Sequence, residues 1–370
     1  MNTPFPFGFD GPMALYLTLY TLTLAVHVAF MSYVVAGTAL LAALNLAGRA
    51  PTSPAAAILA DWLTVALSVA ITAGVAPLLF IQILYQKSFY TANLLLSHRW
   101  MLILPALIIG FYLLYLVKPH PAPTRPRWVG LAAIFGALIC FLFTGASWTE
   151  NHLLSQRPDL WASFYGSGAF TTFQVIQAPT IARLALWMTG TLPLAACLLG
   201  WQLTLLNRDN PGAFDPDAFK RDARTIALAA ISGLAAAAAS LAWLGAASPP
   251  GTLAPLTSPL ATPYTAIAAL GAALQILAWA STLRARNLSA RALGLASIGA
   301  AMSLIGSVVG REAIRLAKAD LQAVAAACEA AIDQGGSLLF VFFLVVNAAL
   351  IGWCVRVSRK ALRNPAPPHI

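Results

Sequence analysis

The sequence predicts an all-α fold: a polytopic integral membrane bundle of about nine transmembrane helices, with the N-terminus outside and the C-terminus in the cytoplasm. Three observations predict it. Hydrophobic residues fill 59% of the 370 positions and charged ones 9%, against about 25% charged in an ordinary soluble domain. Too few charges remain to cover an aqueous surface. The apolar residues gather into nine runs that meet or approach the ~20 residues needed to cross a hydrocarbon core. Finally, Lys and Arg fall unevenly when successive gaps are assigned to alternate sides. One side collects fifteen, among them Arg49, Arg125, Arg208, Arg221 and Arg284, and the other collects seven. The richer side is cytoplasmic by the positive-inside rule, and an even number of helices would scramble the separation.

The first run, 13–46, follows a Phe-, Pro- and Gly-rich stretch with no basic n-region, so it is expected to remain as a helix and not be cleaved. That run and the second, 57–85, are long enough to tilt or to extend beyond the bilayer. Pro77 is expected to kink the second helix. Runs 99–117 and 128–148 follow, then 180–206 and 225–247. An uncharged, Pro-rich outer loop, 248–262, leads to 263–282 and 289–309. The gap 310–335 alternates Arg311, Glu312, Arg315, Lys318, Asp320, Glu329 and Asp333 with apolar residues, which predicts an amphipathic helix lying at the interface. The last run is 336–356, and the whole chain, 1–370, reads as one membrane domain. Ala and Gly on the sixth to eighth helices suit close helix contact, either with neighbours or within the chain.

The net charge of +10 does not mark a nucleic-acid binder, because the basic residues sit in short gaps between apolar runs and form no single polar face. Cys140, Cys197, Cys328 and Cys354 are far apart and show no metal-ligand spacing. There is no C-x-x-C-H, so the chain cannot attach haem c. The helix centres hold almost no ionisable groups and the halves show no inverted repeat, both of which disfavour a small-molecule transporter.

His27 is the exception, in the middle of the first run. An imidazole in lipid needs a hydrogen-bond partner or a metal, so His27 is either an interhelical contact or a ligand for haem iron. Thr23 and Met31 lie one turn to either side on the same face. A second group gathers at the outer boundary: Gln82, His98, Arg99, Trp148, Glu150, His152 and Arg157, with Arg311 and Glu312 placed to join it. Such residues serve as interfacial anchors. Their convergence also suits a quinone-head pocket, a clamp for haem carboxylates, or a docking surface.

These segments resemble subunit I of the cytochrome bd quinol oxidases. The family's H-x-x-F haem-ligand motif is matched by His27 to Phe30. Its G-V-A-T-G followed by F-Q is approached by Gly74-Val75-Ala76-Pro77 and Phe80-Ile81-Gln82. Its N-x-W-M-Q corresponds to Ala146-Ser147-Trp148-Thr149-Glu150, and its G-R-Q-P-W to Gly310-Arg311-Glu312-Ala313-Ile314. The resemblance covers roughly 12–152 and 300–315, and it implies nine helices with the N-terminus outside. The departures fall on the oxygen chemistry. Val308 stands where the family has a ligand glutamate, and the third helix lacks acidic residues. The fifth helix offers Arg183 and no histidine, and the quinol loop is cut to 248–262.

The resemblance therefore implies a diverged bd-like subunit of a bacterial inner (cytoplasmic) membrane, working in electron transfer between the quinone pool and a periplasmic redox partner without reducing oxygen. It implies one haem b on His27, with His98, His152, Met31 or Met302 as a second ligand and Arg311 near the cofactor. It also implies quinone or partner contacts at Gln82, Arg99, Trp148, Glu150 and Arg157. Partner membrane subunits and a multihaem cytochrome c fit that role. The alternative is a haem-free anchor that keeps the fold to hold a respiratory complex together.

Overall fold

Helix starts in this chain are written in short polar signals ahead of long apolar stretches. The Ser53 hydroxyl accepts from the Ala56 amide just before Pro54, Asp215 accepts from Asp217 and Ala218, Ser289 from Ala292, and Asp320 from Gln322 and Ala323. Each satisfies amides that the first helical turn leaves without partners. The structure, a computed structural model, describes residues 2–118, 126–166, 177–212 and 214–363. Arg125, counted above on the basic side, lies outside the described residues.

Among the described residues the regular structure is all helical. The long helices are α1 (Gly11–Leu46), α2 (Pro54–Leu84), α5 (Ile103–Val117), α6 (Arg127–Leu154), α8 (Ala178–Asp209), α9 (Pro216–Ala247), α10 (Thr262–Ala285), α11 (Ala290–Leu316) and α13 (Gly336–Arg363). Shorter ones are α3 (Gln86–Leu96), α4 (His98–Met101), α7 (Pro158–Gly166) and α12 (Leu321–Asp333). Counting α4 with α5, eight spans among the described residues are long and apolar enough to cross a membrane. Leu321–Asp333 and Leu338–Leu350, a pair bent by 74°, make a ninth when the two are counted as one span. Leu22, Val26, Ile71, Val75, Ile108 and Leu277 stand exposed along the flanks, where a lipid surround accepts them and water does not.

Neighbours in sequence pair as hairpins, α1 with α2, α5 with α6, α8 with α9 and α10 with α11, and α1 runs through the middle against α2, α6, α8, α11 and α12. The α10/α11 pair is drawn together by small residues. A Cβ on Gly299 would stand 2.9 Å from Gln275 Cγ and 2.5 Å from the Gly271 carbonyl oxygen, so this crossing admits only glycine. The small-residue faces of these two helices thus pack inside the chain.

Polar contacts separate the two ends of the bundle. At one end Arg49 donates to Thr225 at 3.0 Å, and Asp222, 1% exposed, accepts from the Ser53 hydroxyl and the Ala55 amide, both at 2.8 Å. Lys118 pairs there with Asp61 at 3.3 Å. The other end joins Phe5 to Leu260, Asn93 to Asn151, and α11 to α6 and α1. These groupings follow the alternating assignment of gaps made from the sequence.

Two boundaries differ from expectation. α11 continues through Leu316, so Arg311, Glu312 and Arg315 belong to its buried last turns and only Leu321–Asp333 is left as a separate short helix. The reason is that Tyr20, Tyr85 and His152 give these side chains hydrogen-bond partners inside the bundle, so the helix continues without turning out toward water. Short helices Gln86–Leu96 and Pro158–Gly166 occupy what reads as loop. Pro77 sits inside a continuous α2.

Candidate functional site

At the end of the bundle that carries Phe5, α11 delivers two arginines one turn apart to the same histidine. Arg311 Nη2 lies 3.1 Å and Arg315 Nη2 2.7 Å from His152 Nδ1 on α6. The spacing of four residues puts both guanidinium groups on one face of α11. Nδ1 accepts from both and so carries no proton. Nε2 lies 2.8 Å from the side-chain amide of Gln156, one turn further along. Nδ1 spends its lone pair on the arginines and the neutral ring carries its proton on Nε2, so His152 presents no lone pair to a metal in this arrangement.

The network extends on both sides. Arg311 Nη1 donates to the Tyr20 hydroxyl of α1 at 2.8 Å. Glu312, 0% exposed, accepts from the Tyr85 hydroxyl and lies 3.8 Å from Arg311. The Arg315 guanidinium carbon stands 4.6 Å from the centroid of the Tyr85 ring, a cation–π contact. Arg183, from the first turns of α8 and 4% exposed, has Arg311 and Arg315 as its charged neighbours, both of like sign. Arg183 Nε and Arg315 Nη1 are buried without a hydrogen-bond partner, as is Glu312 Oε2. Just beyond the span, burial and then the charges of Arg183 and Arg157 hold the Lys318 ammonium below its usual pKa. The rim is therefore electropositive, with donors to spare.

Beside it lies a second buried pair. Arg99 on α4 meets Glu150 on α6, whose side chain is 0% exposed and whose Oε1 has no hydrogen-bond partner. Near them in the sequence, Trp148 packs against Trp100 at 4.7 Å and Phe89 at 6.3 Å between ring centroids. Ser97, the residue between α3 and α4, takes φ 47°, a region that costs a non-glycine residue free energy, and this turn aims Arg99 inward.

The other residues singled out from the sequence stand apart. His98 is exposed, with Nδ1 3.2 Å from the Ser97 hydroxyl. Arg157 forms a surface pair with Asp159 at 2.7 Å, and its hydrogen bonds hold that carboxyl below its ordinary pKa. Gln82 is half-buried on α2 and takes no part in the hydrogen bonds of the arginine network. Four contributors escaped the sequence reading as members of this site. Arg183 and Arg315 were visible only as scattered charges, and the Tyr20 and Tyr85 hydroxyls look like any interfacial tyrosine. The one available signal was the four-residue spacing of Arg311 and Arg315.

His27 lies deeper. It is seven residues beyond Tyr20 on α1, about 10 Å at 1.5 Å per residue. Its Nδ1 is 2.9 Å from the Ala70 carbonyl oxygen of α2 and donates to it, which leaves Nε2 with its lone pair. The ring rests on Gly74, where a Cβ would stand 2.9 Å from His27 Cε1. A histidine whose second nitrogen donates to a backbone carbonyl has its ring orientation and tautomer fixed in the way metal-ligating histidines do. His27 thus has one ring nitrogen fixed on the backbone and one lone pair left for a ligand. Among the described residues no group of three or more His, Cys, Asp and Glu side chains is placed to hold a metal ion, so a metal bound through protein side chains alone does not fit.

No protein-family model matches the chain, and comparison with curated proteins finds none similar to it.

Proposed function

We propose that the chain is the membrane subunit of a quinone-linked electron-transfer complex, laid out like subunit I of the bd quinol oxidases but without oxygen-reducing chemistry. The observation that carries the reading is His27: a buried-helix imidazole with Nδ1 fixed on the Ala70 carbonyl, its ring seated on a glycine, and Nε2 free. Nε2 would hold haem b, which when bound supplies a one-electron carrier inside the bundle. The residues around it do the rest. The Tyr20 hydroxyl, which accepts from Arg311 and keeps its own proton, and Arg311 itself offer donors for quinone oxygens at the rim. The partnerless Glu150 Oε1 offers an acceptor for a quinol hydroxyl proton. Electrons would pass to a multihaem cytochrome c docked on the outer side, since this chain has no C-x-x-C-H of its own.

The test is an absorption spectrum of the purified, dithionite-reduced protein. A Soret band with a b-type α band, both lost in His27→Ala, is the expected result. A spectrum that survives His27→Ala would remove His27 from the role. A second reading, a haem-free anchor, is favoured by His152, whose lone pair is spent on Arg311 and Arg315. A colourless, folded protein that copurifies with a cytochrome would support the anchor.

A further inference from the structure

We propose that Arg183, Arg311 and Arg315 form a buried site for a phosphate group, held where α8 and α11 meet beside His152. The site follows from a charge imbalance that the chain does not correct. Arg311 and Arg315 meet at His152, Arg183 is buried near the start of α8, which packs against α11 and brings its charge within reach of both, and the one carboxylate among them is Glu312, already shared between Tyr85 and Arg311. The remaining acidic residues are engaged or exposed elsewhere. Asp61 and Asp222 pair at the opposite end, and Asp209, Asp215 and Asp217 lie with them. Glu150 and Asp159 are taken by Arg99 and Arg157, and Asp320 caps α12. Asp10, Glu329 and Asp333 are exposed. Residues 167–176, which precede α8 in the sequence, include no Asp or Glu.

The donors point to the same conclusion independently. Arg183 is 4% exposed, and among the described residues nothing accepts a hydrogen bond from its Nε; Arg315 Nη1 is in the same position. An unpartnered buried cation beside two others is strongly unfavourable unless an anion joins it. A guanidinium fork matches two oxygens of a phosphate, and a phosphate can serve several forks at once where a single carboxylate serves one or two. Lys318, at the edge of the cluster, adds a fourth positive charge at the opening. The phosphate belongs either to a phospholipid headgroup, which lies at this depth, or to free phosphate from solution.

The experiment uses the full chain in a neutral maltoside detergent, exchanged into phosphate-free buffer. Thermal unfolding is followed by tryptophan fluorescence against added inorganic phosphate, with sodium chloride at equal ionic strength as reference. A parallel series uses mixed micelles of phosphatidylglycerol or phosphatidylcholine. The wild type is expected to gain Tm. A gain with inorganic phosphate identifies the free ion, and a gain with phospholipid alone identifies the headgroup. In Arg183→Gln the half-maximal concentration should rise at least tenfold. The same variant should match or exceed the wild-type Tm without added anion, because it removes an unpaired buried charge. If Arg183→Gln does not fold, phosphorus-31 NMR of the wild type, with a bound resonance expected on adding either probe, decides the matter. No gain with either probe, an equal gain in Arg183→Gln, or no bound resonance would overturn the proposal. The site does not depend on haem, so His27→Ala should keep the response. A response seen only in His27→Ala would place a haem carboxylate among the arginines and also overturn it.

Discussion

Arg99 and Glu150 make the most quantitative test of how the rim is held. The Glu150 side chain is 0% exposed and one of its oxygens has no hydrogen-bond partner, while its other oxygen takes the Arg99 guanidinium. Replacing Arg99 with Met leaves that carboxylate buried and alone, which should cost about 3–5 kcal/mol. Glu150→Leu takes the carboxylate away from the Arg99 guanidinium instead. It should cost somewhat less, since Arg99 is closer to the surface with 10% of its side chain exposed. The double variant removes both charges and leaves two apolar side chains of similar volume next to Trp100 and Trp148. It should fall within about 1 kcal/mol of the wild type or exceed it, because a buried pair seldom recovers its desolvation cost. The coupling between the two sites is then several kcal/mol. Unfolding by titration with a denaturing detergent, read by the fluorescence of the adjacent Trp100 and Trp148, measures all four proteins. If the double variant loses as much as the two single variants together, the residues are uncoupled and the account of the rim as a paired, desolvated network fails.

Other consequences follow from single contacts. Gly74→Ala places a methyl 2.9 Å from His27 Cε1, so the ring must shift off the Ala70 carbonyl. The expected loss is about 1–3 kcal/mol of stability, seen as a lower Tm and, in a haem-bearing preparation, a changed b-type band; unchanged Tm and spectrum would show that the ring is not confined there. At the opposite end, Asp222→Ala strips two hydrogen bonds from the start of α2 and leaves Arg49 with Thr225 but no carboxylate, with an expected cost of about 1–3 kcal/mol. Asp222→Asn should restore part of it, and a variant as stable as the wild type would refute the role of Asp222 as the clasp between α2 and α9.

The helices were legible because a bilayer imposes length and apolarity on each span, and the runs 128–148, 225–247 and 263–282 fall inside helices of the same order. The end of α11 was not legible for a physical reason. Arg311, Glu312 and Arg315 look like a surface pattern when read along one strand of sequence, and only their partners on α1, α2 and α6 make burial tolerable. Sequence alone does not show which helices meet. His27 could be picked out as a lone imidazole among apolar neighbours, but its partner, the Ala70 carbonyl, has no side-chain signature at all. His152 and Arg311 share a boundary in the sequence and meet in the structure. Arg157 was grouped with them for the same reason, yet it pairs locally with Asp159, two residues away. Position along the membrane normal is readable from sequence; position around the bundle is not.

The central claim, that His27 makes this bundle an electron carrier, is tested most directly by counting haem. Pyridine haemochrome analysis of the purified chain should give one haem b per chain in the wild type and none in His27→Ala, with both proteins folded and monodisperse. A wild-type protein that is folded, expressed with haem in supply and still free of haem b would contradict the claim.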